Sequence, residues 1–537
     1  MDITNGILDG LHSARVLLHS GLLGPLRPDK YVRMATAVAD RGAGSAVGMR
    51  LAAGRCPDRP ALIDERGAIT WAELDARTDA LAAGLAAAGG AGLRRVALLA
   101  RNHRGFVETL FAAGKLGVDL LLLNTGFAGP QLAEVVGRET ADLIVYDQEF
   151  KSVVDALPGM PTRILAWQDR ETTEPTLDGL IHRYRDARVP QNRGSGRVIL
   201  LTSGTTGTPK GARRGTDGEV GQLVTAIERV PWRTEETVVI AAPMFHAWGY
   251  GCLLMASIMA NTMVMRRRFD PEQALALAAQ HRASGIALVP IMIQRIEALP
   301  ELVQDRYPCP SLRFVTASGS AMEAGSLLRF MDRFGDVVYS HYNATEAGMI
   351  AIATPADLRA APNSTGRPVS GCAVRILGDD GSELRVGQIG DIAVRNGTQF
   401  EGYTHGGNKE FREGFMLTGD VGHLDAEGRL TVKGRADDMI ISGGENVYPG
   451  EVEDVLAAHP DVLEAAVIGV ADAEFGQRLA AFVVLRNGSS LGADDLRTHV
   501  KASLATYKVP RSVTILEQMP RNATGKIVKR ELVDLVT

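Results

Sequence analysis

The densest chemistry in the chain lies in Leu201-Thr202-Ser203-Gly204-Thr205-Thr206-Gly207-Thr208-Pro209-Lys210-Gly211. Glycines let a backbone turn tightly enough for successive N–H groups to face one anion. Ser203, Thr205, Thr206 and Thr208 add neutral hydroxyl donors, and Lys210 adds a cation. That combination suits a polyphosphate. The stretch is not a Walker A loop, because Lys210 follows Pro209 and precedes Gly211 instead of sitting in Gly-Lys-Ser/Thr. A dinucleotide fingerprint fails as well: Gly42-x-Gly44 is followed by Gly48, one position too far, and no strand precedes it.

Other clusters fit the same ligand. In His341-Tyr342-Asn343-Ala344-Thr345-Glu346, after the apolar run Val337-Val338-Tyr339, a carboxylate stands beside a hydroxyl. Such a pair can hold Mg²⁺ while the hydroxyl meets a phosphate, although a helix-start carboxylate reads the same way in isolation. The small residues Thr316 to Ala321, Gly319 and Ser320 among them, let a backbone approach a flat ring or simply pack tightly. Asp420 could accept from both hydroxyls of a ribose. Lys526, on the Gly-containing loop Pro520-Arg521-Asn522-Ala523-Thr524-Gly525-Lys526, could be delivered to one reaction step and withdrawn for the next. Only ten of the 58 basic residues are lysine, and two of them, Lys210 and Lys526, stand in these motifs. There a compact ammonium serves as a point charge where a planar guanidinium would not.

In this order the motifs resemble those of the adenylate-forming superfamily, the acyl- and aryl-CoA synthetases, adenylation domains and luciferases. The resemblance runs from about residue 50 to the C-terminus and is closest to bacterial fatty-acid–CoA ligases. It implies that Thr202, Ser203, Gly204, Thr205, Thr206, Gly207 and Lys210 hold the phosphates of ATP. It places Gly319, Ser320, Tyr342 and Asn343 around adenine, and Asp420 and Arg435 on the ribose. Thr345 would contact the α-phosphate, Glu346 would bind Mg²⁺, and Lys526 would bridge the carboxylate and the α-phosphate, making Lys526, Thr345 and Glu346 the catalytic set. In Pro243-Met244-Phe245-His246-Ala247-Trp248-Gly249, the residues His246, Trp248 and Gly249 match the entrance of the acyl pocket. The apolar run Cys252 to Met259 suits an alkyl tunnel wall or an ordinary buried helix. No aspartate follows Phe245, which argues against an amino-acid substrate. Asp437 matches the hinge, and Gly443 and Gly444 match the path of coenzyme A. The implied reaction is ATP-dependent activation of a fatty acid to an acyl-adenylate, then thioester formation with coenzyme A. The rivals are transfer to a carrier protein and a non-catalytic lipid- or nucleotide-binding relative. Two departures, Ala212-Arg213-Arg214-Gly215 after the loop and Asn396-Gly397 in place of the more usual Gly-Pro, fall outside the residues carried over.

These residues need a frame. Short apolar runs at 94–99, 142–146, 197–202, 238–241 and 286–289 alternate with helix-like stretches, the pattern of buried parallel strands with crossover helices. From about Ser364 to Arg435 turns come close together, as in a smaller β-rich unit. The expected fold class is therefore α/β: a large N-terminal body of β/α subdomains with a small β-rich subdomain, and a small mobile α+β C-terminal domain. The expected boundaries are an extension over 1–50, an AMP-binding body over 51–435 and a C-terminal domain over 436–537. The 537 residues carry a net charge of -5, without the basic excess of a nucleic-acid binder. Cys56, Cys252, Cys309 and Cys372 are far apart, which gives no zinc spacing and fits a reducing cytoplasm. No apolar run reaches transmembrane length. Ile7, Leu8, Leu11 and Leu18 form a stripe that reads as a helix packed on its own domain, with peripheral membrane contact as the alternative. A homodimer is left open.

Overall fold

The apolar runs become strands of two large, mostly parallel sheets. The computed structural model describes residues 12–39, 45–159, 162–190, 196–202, 210–214, 219–398, 400–403, 408–442, 445–472 and 476–536. One sheet orders its described strands Arg367–Pro368, Gly348–Ala353, Val338–Ala344, Phe314–Ser318, Gly285–Leu288, Thr237–Ile240, Thr262–Val264, Pro60–Asp64 and Gly67–Thr70. Its six central strands run parallel. The other orders Phe400–Tyr403, Lys210–Arg214, Val198–Thr202, Asp119–Leu122, Arg95–Leu99, Leu143–Asp147 and Thr162–Trp167, the last five parallel. Parallel strands covered on both faces need continuous apolar sequence, which is what these runs supply.

Between the two sheets lie the helices Trp71–Gly89 and Arg104–Leu116, whose Trp71, Leu81, Phe106 and Phe111 share one core with Leu62, Val96, Val238 and Phe314. A capping box starts the first helix. The Thr70 hydroxyl accepts from the Glu73 N–H at 3.2 Å, and the Glu73 carboxylate accepts from the Thr70 N–H at 2.7 Å. Such a cap stabilises a helix start by about 1 kcal/mol.

The β-rich unit is an antiparallel sheet of Ala373–Leu377, Gly390–Arg395, Phe415–Leu424, Phe411–Arg412 and Leu430–Arg435. A 3₁₀ turn, Ala436–Asp438, leads from it to a C-terminal sheet of Glu445–Val447, Ile440–Ser442, Gly476–Leu485, Val462–Asp472 and Ser512–Leu516. That sheet has cores of its own, around Val467 and Val483 on one face and around Ile468 and Phe482 on the other. The large body and smaller C-terminal domain of the sequence reading are both present.

Of the N-terminal stripe only Leu18 falls among the described residues. Ile7, Leu8 and Leu11 lie outside the described residues, and Leu18 is 56% exposed. Val16, Leu17 and Leu22 do the packing. The buried Arg55 guanidinium holds this segment to the body, donating to the carbonyls of Gly21 at 3.0 Å and Leu22 at 3.3 Å while pairing with Glu235 at 2.8 Å. Among the described residues no helix is long and apolar enough to cross a membrane.

Candidate active site

Thr202 ends the strand Val198–Thr202, and Lys210 opens the strand Lys210–Arg214. The two residues are register partners in an antiparallel pair, so the glycine-rich stretch is the connection of a hairpin. Ser203, Gly204, Thr205, Thr206 and Gly207 lie outside the described residues. The outgoing strand pairs on its other side with Phe400–Tyr403. From there the Tyr403 hydroxyl donates to Glu346 Oε1 at 3.0 Å. Burial and the Glu346 carboxylate push the Tyr403 hydroxyl up to about 12, so it stays a donor throughout the working pH range. Thr345 and Glu346 sit in the tight turn between Val338–Ala344 and Gly348–Ala353 and start no helix. Asn396, set aside by the sequence reading, donates to the Ala347 carbonyl at 2.8 Å and braces that turn. Among the described residues no three His, Cys, Asp or Glu side chains converge. A single carboxylate still fits Mg²⁺, which keeps waters and takes substrate phosphate oxygens as its other ligands.

Asp420 and Arg435 face each other as register partners on adjacent strands. Arg435 Nη1 lies 3.3 Å from Asp420 Oδ1, and its Nε lies 3.1 Å from Asp437 Oδ1. The Tyr342 hydroxyl donates to Asp420 Oδ2 at 2.5 Å. Burial and that carboxylate hold the Tyr342 hydroxyl well above its ordinary value. Gly419, at φ +81°, lets the strand fold against the guanidinium, since a Cβ there would come within 2.9 Å of Arg435 Nη2. The Thr418 hydroxyl accepts from the Asp420 N–H at 3.0 Å and fixes the bend. The ring, carboxylate and guanidinium expected around a nucleoside are thus wired together. Asn343 Nδ2 reaches Ser318 Oγ at 3.3 Å, and its Oδ1 has no hydrogen-bond partner among the described residues. Gly319, at φ +115°, turns the chain at the end of Phe314–Ser318, with Ser320 in the bend that follows.

Lys526 reaches this place from the C-terminal domain. Its loop is stapled by Asn522, whose Oδ1 accepts from the Thr524 N–H at 3.0 Å, the Thr524 hydroxyl at 2.6 Å and the Lys526 N–H at 3.0 Å. Lys526 lines a cavity of about 10 Å³ with His246, Trp248, Gly249, Val289 and Gly319. Burial pulls the Lys526 ammonium below its ordinary value. Arg435 pulls the same way, against the carboxylates of Asp420 and Glu346. Burial, and then Lys526, lower His246 to about 4, so its ring is neutral at pH 7. A larger cavity of about 260 Å³ adjoins this one, sharing Pro243, Val289 and Thr524. Its wall carries Arg101, Arg266, Arg267, Arg268, Arg295 and Arg521.

Two lobes therefore bring together His246, Trp248, Gly249, Gly319 and Lys526 at one cavity, and Tyr342, Asp420 and Arg435 in one hydrogen-bonded group. Gly443 and Gly444 lie outside the described residues, between paired strands that end at Ser442 and begin at Glu445. The sequence reading missed Tyr403 and set Asn396 aside, because it could not tie either to a site so distant in the chain; it quoted Thr418 beside Asp420 without reading its bond to the Asp420 N–H. Asn522 carried a signal, since Asn before Ala-Thr-Gly is a side-chain-to-backbone turn former.

A family model described as AMP-binding enzyme matches residues 49–404, and one described as AMP-binding enzyme C-terminal domain matches residues 451–526. The chain is 31% identical over 495 residues to an indoleacetate–CoA ligase of Aromatoleum aromaticum, covering 90% of this chain and 96% of the relative. It is 33% identical over 474 residues to a feruloyl-CoA synthase of an Amycolatopsis species, covering 87% and 93%. It is 28% identical over 475 residues to a long-chain-fatty-acid–CoA ligase of Mycobacterium tuberculosis, covering 86% and 92%. Among solved structures it resembles the o-succinylbenzoate–CoA synthetase of Bacillus subtilis in complex with its acyl-adenylate intermediate. That match has a TM-score of 0.77 and 28% identity, and covers 90% of this chain and 97% of the other.

Proposed function

The chain belongs to the AMP-binding enzyme family, and from that premise we propose that it is an AMP-forming acid–CoA ligase working through an acyl-adenylate. The observation that carries this reading is the placement of Lys526. A lysine from the C-terminal domain lies on the cavity of His246 and Gly319, in the field of Asp420, Arg435 and Glu346. In the first step a carboxylate oxygen of the acid attacks the α-phosphorus of ATP, and the bond to pyrophosphate breaks. Lys526 neutralises charge on the oxygens around phosphorus, and Thr345 and the 202–210 hairpin orient the phosphates, so the chain contributes mainly position and electrostatics. Glu346 would hold Mg²⁺, which when bound supplies charge neutralisation at the phosphates. His246, being neutral, meets the carboxylate without adding a second positive charge beside Lys526. In the second step the thiol of coenzyme A attacks the acyl carbonyl, the C–S bond forms, AMP leaves and the thiol proton goes to solvent. The C-terminal domain, residues 436–537, turns on the body, 51–435, at Asp437 between the two steps. The arginine-lined cavity suits a phosphorylated co-substrate.

The acid is apolar. An aromatic or arylalkyl acid is the first reading, supported by the indoleacetate and ferulate relatives. A fatty acid, the substrate expected from the sequence, is the second. It is supported by the uncharged Cys252, Leu253, Leu254, Met255 and Ala256 behind Trp248 and by the mycobacterial relative. ATP–pyrophosphate exchange with a panel of both acid classes, followed by thioester detection with coenzyme A, tests the proposal. Exchange and thioester together support it. Exchange without thioester would move the acyl acceptor to a carrier protein, and no exchange with any acid would reduce the chain to a binding role.

A further inference from the structure

Asn102 stands in the short connection between the strand Arg95–Leu99 of one large sheet and the helix Arg104–Leu116, and it is buried. Its side chain grips a segment far away in sequence, where the strand Thr237–Ile240 of the other large sheet ends. The amide nitrogen donates to the carbonyls of Ala242 at 2.8 Å and Ile240 at 3.3 Å. The amide oxygen accepts from the Met244 N–H at 2.9 Å. These partners dictate which way the amide points, since an N–H only donates and a carbonyl only accepts. They also dictate the residue type: a carboxylate has no donor for the two carbonyls, and an alkyl side chain serves neither need.

A buried amide could be kept only to weld the two sheets together, but a neighbour already makes that weld. Two residues on, the Arg104 guanidinium donates to the carboxylate of Asp64, on the strand Pro60–Asp64, at 2.6 and 3.0 Å. Asn102 has a different target. Ala242 and Met244 are fully buried and flank Pro243, from which the chain turns into the site. The Pro243 carbonyl accepts from the His246 N–H at 3.1 Å, and the His246 carbonyl accepts from the Tyr250 N–H at 2.9 Å as the helix Ala247–Ile258 begins. Pro243 and His246 both line the cavity that Lys526 enters. From the opposite side, the N–H groups of Ala241 and Ala242 donate to the Ala287 carbonyl at 3.0 and 2.9 Å. The segment is thus held between Ala287 and Asn102. Without the amide, the buried Met244 N–H and Ala242 carbonyl lose a partner, and the turn must shift to find others.

We propose that Asn102 is a positioning residue for the acid: by clamping Ala242 and Met244 it sets the 243–246 turn, and with it the place of His246 relative to Lys526. This rests on the ligase reading above. A shifted turn reaches the carboxylate of the acid, which meets His246 and Lys526. It spares ATP, which is held by the 202–210 hairpin and by Tyr342, Asp420 and Arg435.

The test measures KM for the acid and KM for ATP separately in ATP–pyrophosphate exchange, with indoleacetate, ferulate and dodecanoate as the acids. It uses the wild type, Asn102→Ala, Asn102→Ser and Asp64→Asn. Asn102→Ala is expected to raise KM for the acid about tenfold and to leave KM for ATP within about twofold of wild type. Asn102→Ser, whose hydroxyl can keep one of the bonds, is expected to fall between, and it carries the test if the alanine variant does not fold. Asp64→Asn, which weakens the sheet-to-sheet weld, is expected to melt at a lower temperature while both KM values stay near wild type. If neither KM moves in the Asn102 variants, if both rise together, or if Asp64→Asn raises KM for the acid as much as they do, the role of Asn102 is structural only. That result overturns the inference and leaves the ligase reading standing. If the wild type exchanges pyrophosphate with none of the acids, the ligase reading falls and this inference falls with it.

Discussion

Tyr403 donates to Glu346 at 3.0 Å from a strand paired with the one that leaves the phosphate hairpin. One hydroxyl thus links the orientation of the expected metal carboxylate to the position of the loop. A hydrogen bond to a charged group contributes about 1.5–3 kcal/mol. Tyr403→Phe should accordingly raise KM for ATP about tenfold and shift the Mg²⁺ requirement of exchange to higher concentration. Thioester formation from supplied acyl-adenylate should be spared. Mg²⁺ titrations at fixed ATP check this, and superimposable curves for the two proteins would refute the link. Lys526 answers to a different measurement. Lys526→Ala should lower pyrophosphate exchange by about 10²–10³-fold, as loss of a pre-placed charge at a developing anion does. Coenzyme A should still capture a supplied acyl-adenylate. If both half-reactions keep wild-type rates, Lys526 has no part in the first.

Elements decide how these residues arrive. The loop 520–526 is held by Asn522 and packs on the body through Gly525, which has φ +85° and whose added Cβ would lie 2.7 Å from Ile291 Cγ2. Gly525→Ala should therefore combine backbone strain of about 1–2 kcal/mol with a push of the loop away from the body. Exchange should fall about tenfold, with the second half-reaction unchanged; equal loss in both, in a rate comparison of the two half-reactions, would point to general misfolding. The same elements show what could be read from the sequence. The 201–211 and 520–526 stretches were legible because the chemistry of one loop needs contiguous residues, and the apolar runs were legible because strands buried on both faces must be apolar throughout. The contacts of Tyr403, Asn396 and His341 were not. Each depends on contact between segments far apart in sequence, such as the pairing of Phe400–Tyr403 with Lys210–Arg214 or Asn396 against Ala347, which no local pattern encodes. Leu18 was assigned to the packed side for a related reason: periodicity shows a face but not which side of it meets the body, and Leu18 is exposed while Val16 and Leu17 pack.

At the scale of the whole molecule, buried neutral histidines tie stability to pH. Burial lowers His341 to about 3, and burial with Lys526 lowers His246 to about 4. An unfolded chain would protonate both near 6.5. Between those values the unfolded state binds protons that the folded state does not. The stability contributed by each histidine is therefore full above about pH 6.5 and is lost as pH falls toward its folded value. Each can contribute a slope of up to about 1.4 kcal/mol per pH unit. Burial shifts other groups as well: His281 and His423 are lowered too, while Glu108 is raised. The decisive quantity is thus the difference between two proteins that share those groups. His341→Gln should melt at a lower temperature than wild type at pH 7, because the stack on Trp248 and the bond to Thr316 are altered. Its melting temperature should then fall less than that of wild type between pH 6.5 and 4.5, so that the two curves converge on the acid side. Thermal melts of both proteins at half-unit steps of pH measure this directly. Parallel curves would mean that His341 takes up a proton in the folded state, and that the pocket it braces is open to water.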